Sequence, residues 1–130
     1  MTRFLFLVLI ICASCQSKTE QESPIAKIVT AKELQVLIKD NADLQLVDVR
    51  TDKEYASGHL PESVLIDYYK SDFKSQLAKL EKDKPIAVYC ALGGRSSSAL
   101  KILKSMGFRE AYDLAGGFTD WQKEKLPTVK

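Results

Sequence analysis

Cys90 closes an apolar run, Pro85 to Tyr89, and opens a short glycine loop, Ala91, Leu92, Gly93 and Gly94. Behind the loop come Arg95, three serines, and then Leu100, Ile102 and Leu103 at helical spacing. A strand–loop–helix of this kind aims backbone N–H groups and the positive end of a helix dipole at whatever begins the loop. Here that is a thiol, and such surroundings lower a thiol pKa and favour the nucleophilic thiolate. None of Ala91 to Arg95 is proline, so all five N–H groups are available as donors. Gly93 and Gly94 allow the backbone to curl inward with positive φ. Arg95 keeps its charge, and its fork of donors suits two tasks equally: holding an oxyanion, or bracing a carboxylate or carbonyl beneath the loop. A free cysteine is often a buried structural residue; the position of Cys90 before a glycine loop favours the reactive role.

Loop length selects among chemistries. Four residues separate Cys90 from Arg95. Cysteine-dependent phosphatases use a loop longer by one residue, because it must enclose a tetrahedral phosphate. That argues against a phosphatase or arsenate reductase. A tighter loop suits a smaller target, such as the outer sulfur of a persulfide. CALGGRS resembles the active-site loop of the rhodanese family of sulfurtransferases. DVRTDKEYASGHLPES at 48–63 resembles the family's opening motif, and LAGGFTDW at 114–121 its closing motif. The likeness covers residues 28–130. It implies that Cys90 takes a sulfane sulfur from a small anionic donor such as thiosulfate, becomes a persulfide, and passes the sulfur to a thiol or cyanide-like acceptor. Ala91, Leu92, Gly93, Gly94 and Arg95 would form the binding loop. A rhodanese module that holds persulfide as a carrier, senses sulfide or oxidants, or engages an unidentified protein partner without turnover is the alternative.

In the opening motif, Asp48 and Arg50 are expected to brace the loops around the site. The resemblance implies a structural role for His59, since sulfur transfer needs no general base once the thiolate exists. Pro61-Glu62-Ser63 stands where the family usually has Pro-Gly-Ala, so the turn there is in question. Ala91 replaces a residue that is polar or basic in many rhodaneses, which makes the rim less anion-seeking. Trp121 reads as core. Asp113 ends its strand as a candidate to face the pocket and receives no role.

The elements that must position these residues alternate strand with helix. Ile28 and Val29 suggest a first short strand. Thr30 and Glu33 form a capping box ahead of Leu34, Leu37 and Ile38. Strands follow at 44–49, 63–67, 85–90 and 111–114. Helices are expected at 51–57, with a second capping box from Thr51 to Glu54 and a stop at Gly58, then at 71–81, 96–106 and 118–125. The strands at 44–49 and 85–90 are apolar throughout. This pattern predicts a single α/β domain with a mainly parallel central sheet flanked by helices on both faces. Ligands of such sheets bind beyond the C-terminal ends of strands, where Cys90 falls.

The chain has 130 residues, enough for one domain. Its 19 Lys and Arg nearly balance 17 Asp and Glu, which argues against a nucleic-acid surface. A single histidine and no Cys/His cluster argue against a metal site, and no cofactor is expected. The N-terminus differs. Arg3 precedes a ten-residue apolar run, Phe4 to Ala13, then Ser14 and Cys15. The run is too short to span a bilayer, which needs about 20 residues, and has the form of a secretory signal. Its ending resembles a bacterial lipoprotein signal with Cys15 as the lipidated residue, although Cys12 occupies a position where that family favours leucine. The expected organisation is a signal over 1–15, a polar tether over 16–27 and the domain over 28–130. The protein would be exported and lipid-anchored to a bacterial membrane, with its domain in the periplasm or at the cell surface. Cys90 would then be the lone thiol of the mature domain.

Overall fold

The computed structural model describes residues 23–130. The signal segment, Cys15 and most of the expected tether lie outside the described residues. Five strands, β1 (Ile25–Val29), β2 (Gln45–Asp48), β3 (Val64–Leu65), β4 (Ile86–Tyr89) and β5 (Glu110–Leu114), form one sheet in the order β1-β5-β4-β2-β3. Every pairing is parallel. Five helices connect or follow them: α1 (Ala31–Asp40), α2 (Asp52–Ser57), α3 (Phe73–Leu77), α4 (Gly94–Ser105) and α5 (Gly117–Lys123).

Strand alternation sorts the core into two layers. Ile86, Val88 and Cys90 face one side with Val47, Val49 and Ala111, and pack against Phe73 and Leu77 of α3 and Ala99 and Leu103 of α4. Ala87 and Tyr89 face the other side with Leu46, Tyr112 and Leu114, and pack against Leu34 of α1 and Trp121 of α5. All four residues of β4 are buried, as its unbroken apolar run requires. Each fully buried large apolar side chain, such as Leu34 or Phe108, stabilises the fold by about 1.5–3 kcal/mol.

Both expected capping boxes form. The Thr30 hydroxyl accepts from the Glu33 N–H while the Glu33 carboxylate accepts from the Thr30 N–H, and Thr51 and Glu54 do the same. Some boundaries differ from the sequence reading. β1 begins at Ile25, inside the span expected as tether, because the Ile25 N–H donates to the Arg109 carbonyl at 2.7 Å and the strand pairs with β5 from there. It is an edge strand exposed along most of its length, so it carries little apolar signal. β3 is shortened to two residues at the opposite edge. α4 starts at Gly94 rather than Ser96, since Gly93 turns the chain with φ +112 and the helix follows at once.

Candidate active site

β4 delivers Cys90 to the C-terminal edge of the sheet, and the chain turns directly into α4. The Gly93 N–H donates to Cys90 Sγ at 3.0 Å. The Ser96 hydroxyl, in the first turns of α4, lies 3.4 Å from the same sulfur. Burial pushes the Cys90 pKa up. The Ser96 hydroxyl and the N–H groups of Ser96, Gly93 and Leu92 outweigh it, so the net shift is downward. The donors that bear on sulfur are therefore Leu92 and Gly93 of the expected loop, joined by Ser96. Gly93 alone of the glycine pair uses positive φ; Gly94 is helical and has open space where a Cβ would stand. Cys90 itself is only 1% exposed, while Leu92 beside it is 74% exposed.

A second layer holds the loop in this shape. The Phe118 N–H donates to the Cys90 carbonyl at 2.7 Å, and the Thr119 N–H to the Ala91 carbonyl at 3.1 Å. The start of α5 thus clamps the loop carbonyls, leaving the loop N–H groups to turn toward sulfur. Gly117, at φ +59, lies so close that a Cβ there would collide with the Cys90 and Ala91 carbonyl groups. This is the physical reason for glycine at 117; at Gly116, φ +67, a Cβ would instead collide with the Asp120 side chain. Phe118 is held in turn by Arg50, whose guanidinium lies 4.2 Å from its ring centroid. Arg50 forks onto the buried Asp48 carboxylate, with Nη2 to Oδ2 at 2.7 Å, and donates to the Gly58 carbonyl at 2.7 Å. Asp48 and Arg50 thus lie behind the loop, joined to each other, to the backbone at Gly58 and to the Phe118 ring.

Arg95 points both ends of its fork at Glu54 of α2, with Nη1 to Oε2 and Nη2 to Oε1 each at 2.8 Å. The Arg95 partner drives the Glu54 carboxyl down to about 2, and Glu54 raises the Arg95 pKa in return. Of the two roles open to Arg95, this geometry is bracing. The Arg95 guanidinium lies over the exposed Tyr69 ring, 5.5 Å from its centroid. His59 is engaged elsewhere. Its ring stacks on Tyr55 at 3.6 Å, Nδ1 lies 3.0 Å from the Tyr55 carbonyl, and its backbone forms a bridge with Val129 in the C-terminal tail. Trp121 is core, with its indole N–H donating to the Pro127 carbonyl at 2.9 Å. Among the described residues no group of three or more ligating side chains could hold a metal ion.

Ser96, the Glu54 partnership and the α5 clamp were absent from the sequence reading. Ser96 was open to it: a hydroxyl one turn into the helix after a catalytic-looking loop can reach back to the loop's first residue. The other two join distant segments and have no local signal.

A parallel five-stranded sheet with a cysteine at the C-terminal end of its central strand, cradled by a loop and a helix start, defines an α/β thiol-centred domain. The family model described as Rhodanese-like domain matches residues 30–124, and the chain belongs to that family. It is 41% identical over 78 residues to Thiosulfate sulfurtransferase GlpE of Pseudomonas savastanoi pv. phaseolicola, covering 59% of this chain and 71% of that one. It is 29% identical over 101 residues to a sulfurtransferase of Allochromatium vinosum, covering 78% of this chain and 92% of that one. The crystal structure of a rhodanese-related protein from Thermoplasma volcanium superposes with a TM-score of 0.70 at 32% identity, covering 79% of this chain and 97% of that one. At the level of family, the chain is a rhodanese-type sulfurtransferase.

Proposed function

We propose that this protein moves a sulfane sulfur from a small anionic donor, thiosulfate being the model case, to a nucleophilic acceptor through a persulfide on Cys90. The observation that carries the reading is the lowered-pKa sulfur of Cys90, hydrogen bonded by Gly93 and Ser96 at the mouth of α4. The Cys90 thiolate attacks the outer sulfur of thiosulfate. A new S–S bond forms, the old one breaks, and sulfite leaves with its electron pair. A thiolate or cyanide then attacks the outer sulfur of the persulfide, and the Cys90 thiolate returns as the leaving group. This is covalent catalysis in two displacement steps, with no net change in protonation of the enzyme. Donors placed for the thiolate also stabilise the terminal sulfur while it carries negative charge.

The direct test is intact-mass measurement after thiosulfate treatment. Wild type should gain the mass of one sulfur atom and lose it on adding cyanide, and Cys90→Ser should gain nothing. Sulfur transfer by Cys90→Ser would overturn the proposal.

A carrier or sensor module is the second reading. The near-complete cover over Cys90 and the engagement of Arg95 by Glu54 favour it, since both restrict access for a free anion. Stoichiometric persulfide on Cys90 with negligible thiosulfate:cyanide turnover would select this reading over the first.

Export and lipid anchoring through Cys15 complete the proposal. Their support is the sequence of the signal-like segment.

A further inference from the structure

Leu92 and Tyr69 are the two most exposed large apolar side chains among the described residues, at 74% and 70%. Both stand at the edge of the sheet where Cys90 lies. Leu92 belongs to the Cys90 loop and precedes Gly93, whose N–H reaches the sulfur. Tyr69 is carried there by the backbone. The Val49 N–H donates to the Tyr89 carbonyl at 3.0 Å, and the Tyr68 N–H to the Val49 carbonyl at 3.1 Å. The Tyr69 ring then lies under the Arg95 guanidinium. Single exposed apolar residues are ordinary, but apolar surface gathered at one site marks binding.

The charges at this edge are already engaged. Arg95 turns both ends of its fork onto Glu54, and the Thr51 N–H and hydroxyl donate to the same carboxylate at 2.9 Å each. Lys70, next to Tyr69, pairs with Asp52 at 2.8 Å. Ala91 to Gly94 bring no side-chain charge. An anionic body entering here must break the Arg95–Glu54 fork or sit beside the Glu54 carboxylate. An uncharged apolar body loses nothing to that pairing and gains by covering Leu92 and Tyr69. The 1% exposure of Cys90 sets the width, since only a narrow chain can carry a thiol to its outer sulfur.

We propose that the acceptor in the second displacement is a small thiol on an unbranched, uncharged apolar chain, and that the Leu92 side chain and the Glu54 carboxylate determine this specificity. Leu92 supplies the surface that the chain covers. Glu54 cancels the arginine charge that would otherwise draw an anion. The acceptor thiolate forms an S–S bond to the outer sulfur of the Cys90 persulfide. The bond from that sulfur to Cys90 Sγ breaks, the Cys90 thiolate leaves with the electron pair, and the product is an alkyl persulfide. The inference rests on the Cys90 persulfide, so loading and discharge are measured separately.

The test loads Cys90 in the full chain with sulfur from inorganic disulfide, hydrosulfide leaving, and follows discharge by intact mass. The acceptors are ethanethiol, 1-propanethiol, 1-butanethiol and 3-mercaptopropionate, with rates compared per thiolate. In wild type each added methylene should speed discharge about twofold, against the roughly fourfold of complete burial. The carboxylate of 3-mercaptopropionate should slow it about tenfold relative to 1-propanethiol. Leu92→Ala, which keeps the loop N–H, should flatten the chain-length series. Glu54→Gln should remove most of the carboxylate penalty. Loading followed by a flat wild-type series, or by equal rates for 3-mercaptopropionate and 1-propanethiol, overturns this inference alone and needs no variant. A Leu92→Ala series as steep as wild type overturns the role of Leu92, and a full carboxylate penalty in Glu54→Gln overturns that of Glu54. Failure of Cys90 to load overturns the persulfide reading and this inference with it.

Discussion

At the scale of single residues, the site is a contest between burial and donors. Cys90 is almost wholly covered, which by itself would leave an inert thiol; the Ser96 hydroxyl and the N–H groups of Ser96, Gly93 and Leu92 reverse that outcome. Glu54 shows the same balance with an ion pair. Its folded pKa of about 2 lies below the ordinary 4.5 because Arg95 holds it. A depressed carboxylate stabilises the fold fully above its ordinary pKa and loses that contribution as pH falls toward the folded value. Wild type should therefore lose stability between pH 4.5 and about 2, and Glu54→Gln should flatten this acid limb in thermal melts. The side chain is 33% exposed, so solvent screening keeps the effect below what the shift alone suggests. A second prediction concerns Glu62, which sits at φ +64 in a turn where the family commonly has glycine. The left-handed conformation costs a side-chain-bearing residue about 1–2 kcal/mol, and the added unfolded freedom of glycine returns about 0.5–1 kcal/mol of this. Glu62→Gly should raise stability by about 0.5–1 kcal/mol in denaturant titrations. An unchanged or lowered midpoint would show that the turn is not strained.

At the scale of elements, the loop after β4 is shaped by a helix far along the chain. The first N–H groups of α5 take the Cys90 and Ala91 carbonyls, and Arg50 steadies Phe118 from the end of β2. Gly117 makes that approach possible. Gly117→Ala would place a methyl 2.7 Å from the Ala91 carbonyl carbon and burden a φ of +59. Overpacking of this kind costs about 1–3 kcal/mol. Because the strain falls on the loop backbone, persulfide formation should drop by more than the stability loss predicts. The check is sulfur uptake on Cys90 at a temperature where circular dichroism shows the variant still folded. Undiminished uptake would mean that the clamp is not needed to shape the loop. The turn at 60–63 is an element-scale substitution of a different kind. Ser63 stands where alanine is usual, and its hydroxyl donates to the Leu60 carbonyl and shares a hydrogen bond with the buried Tyr89 hydroxyl. The extra polar atom is satisfied inside the core.

At the scale of the whole molecule, the sheet carries Cys90 at the C-terminal end of its central strand and the N-terminal strand β1 at one flank. None of the helices among the described residues is long and apolar enough to cross a membrane. The proposed attachment rests on Cys15 instead. Expressed in a bacterium with a lipoprotein pathway, wild type should take up labelled fatty acid and sediment with membranes, and Cys15→Ser should do neither. If wild type remains unlabelled and freely released, the anchor is wrong and the domain chemistry is untouched, since Cys15 and Cys90 serve separate roles.

Alternating strands and helices, two capping boxes and an all-apolar β4 made the parallel α/β fold legible before any coordinates. Each of those signals is a pattern within one turn or one strand of the chain. The same holds for the cysteine at a strand end with a glycine reversal behind it, which marked the candidate site. The start of β1 was missed because an exposed edge strand has no buried face to impose a pattern on its side chains. Tertiary structure alone decided what Arg95 does: its partner Glu54 lies 41 residues away, and the charge and fork of arginine suit either role until a carboxylate is brought within reach. It also decided that α5 shapes the loop of Cys90. Local sequence can encode the tendency of a segment to form strand, turn or helix; which polar groups then meet is set by how the sheet orders its strands.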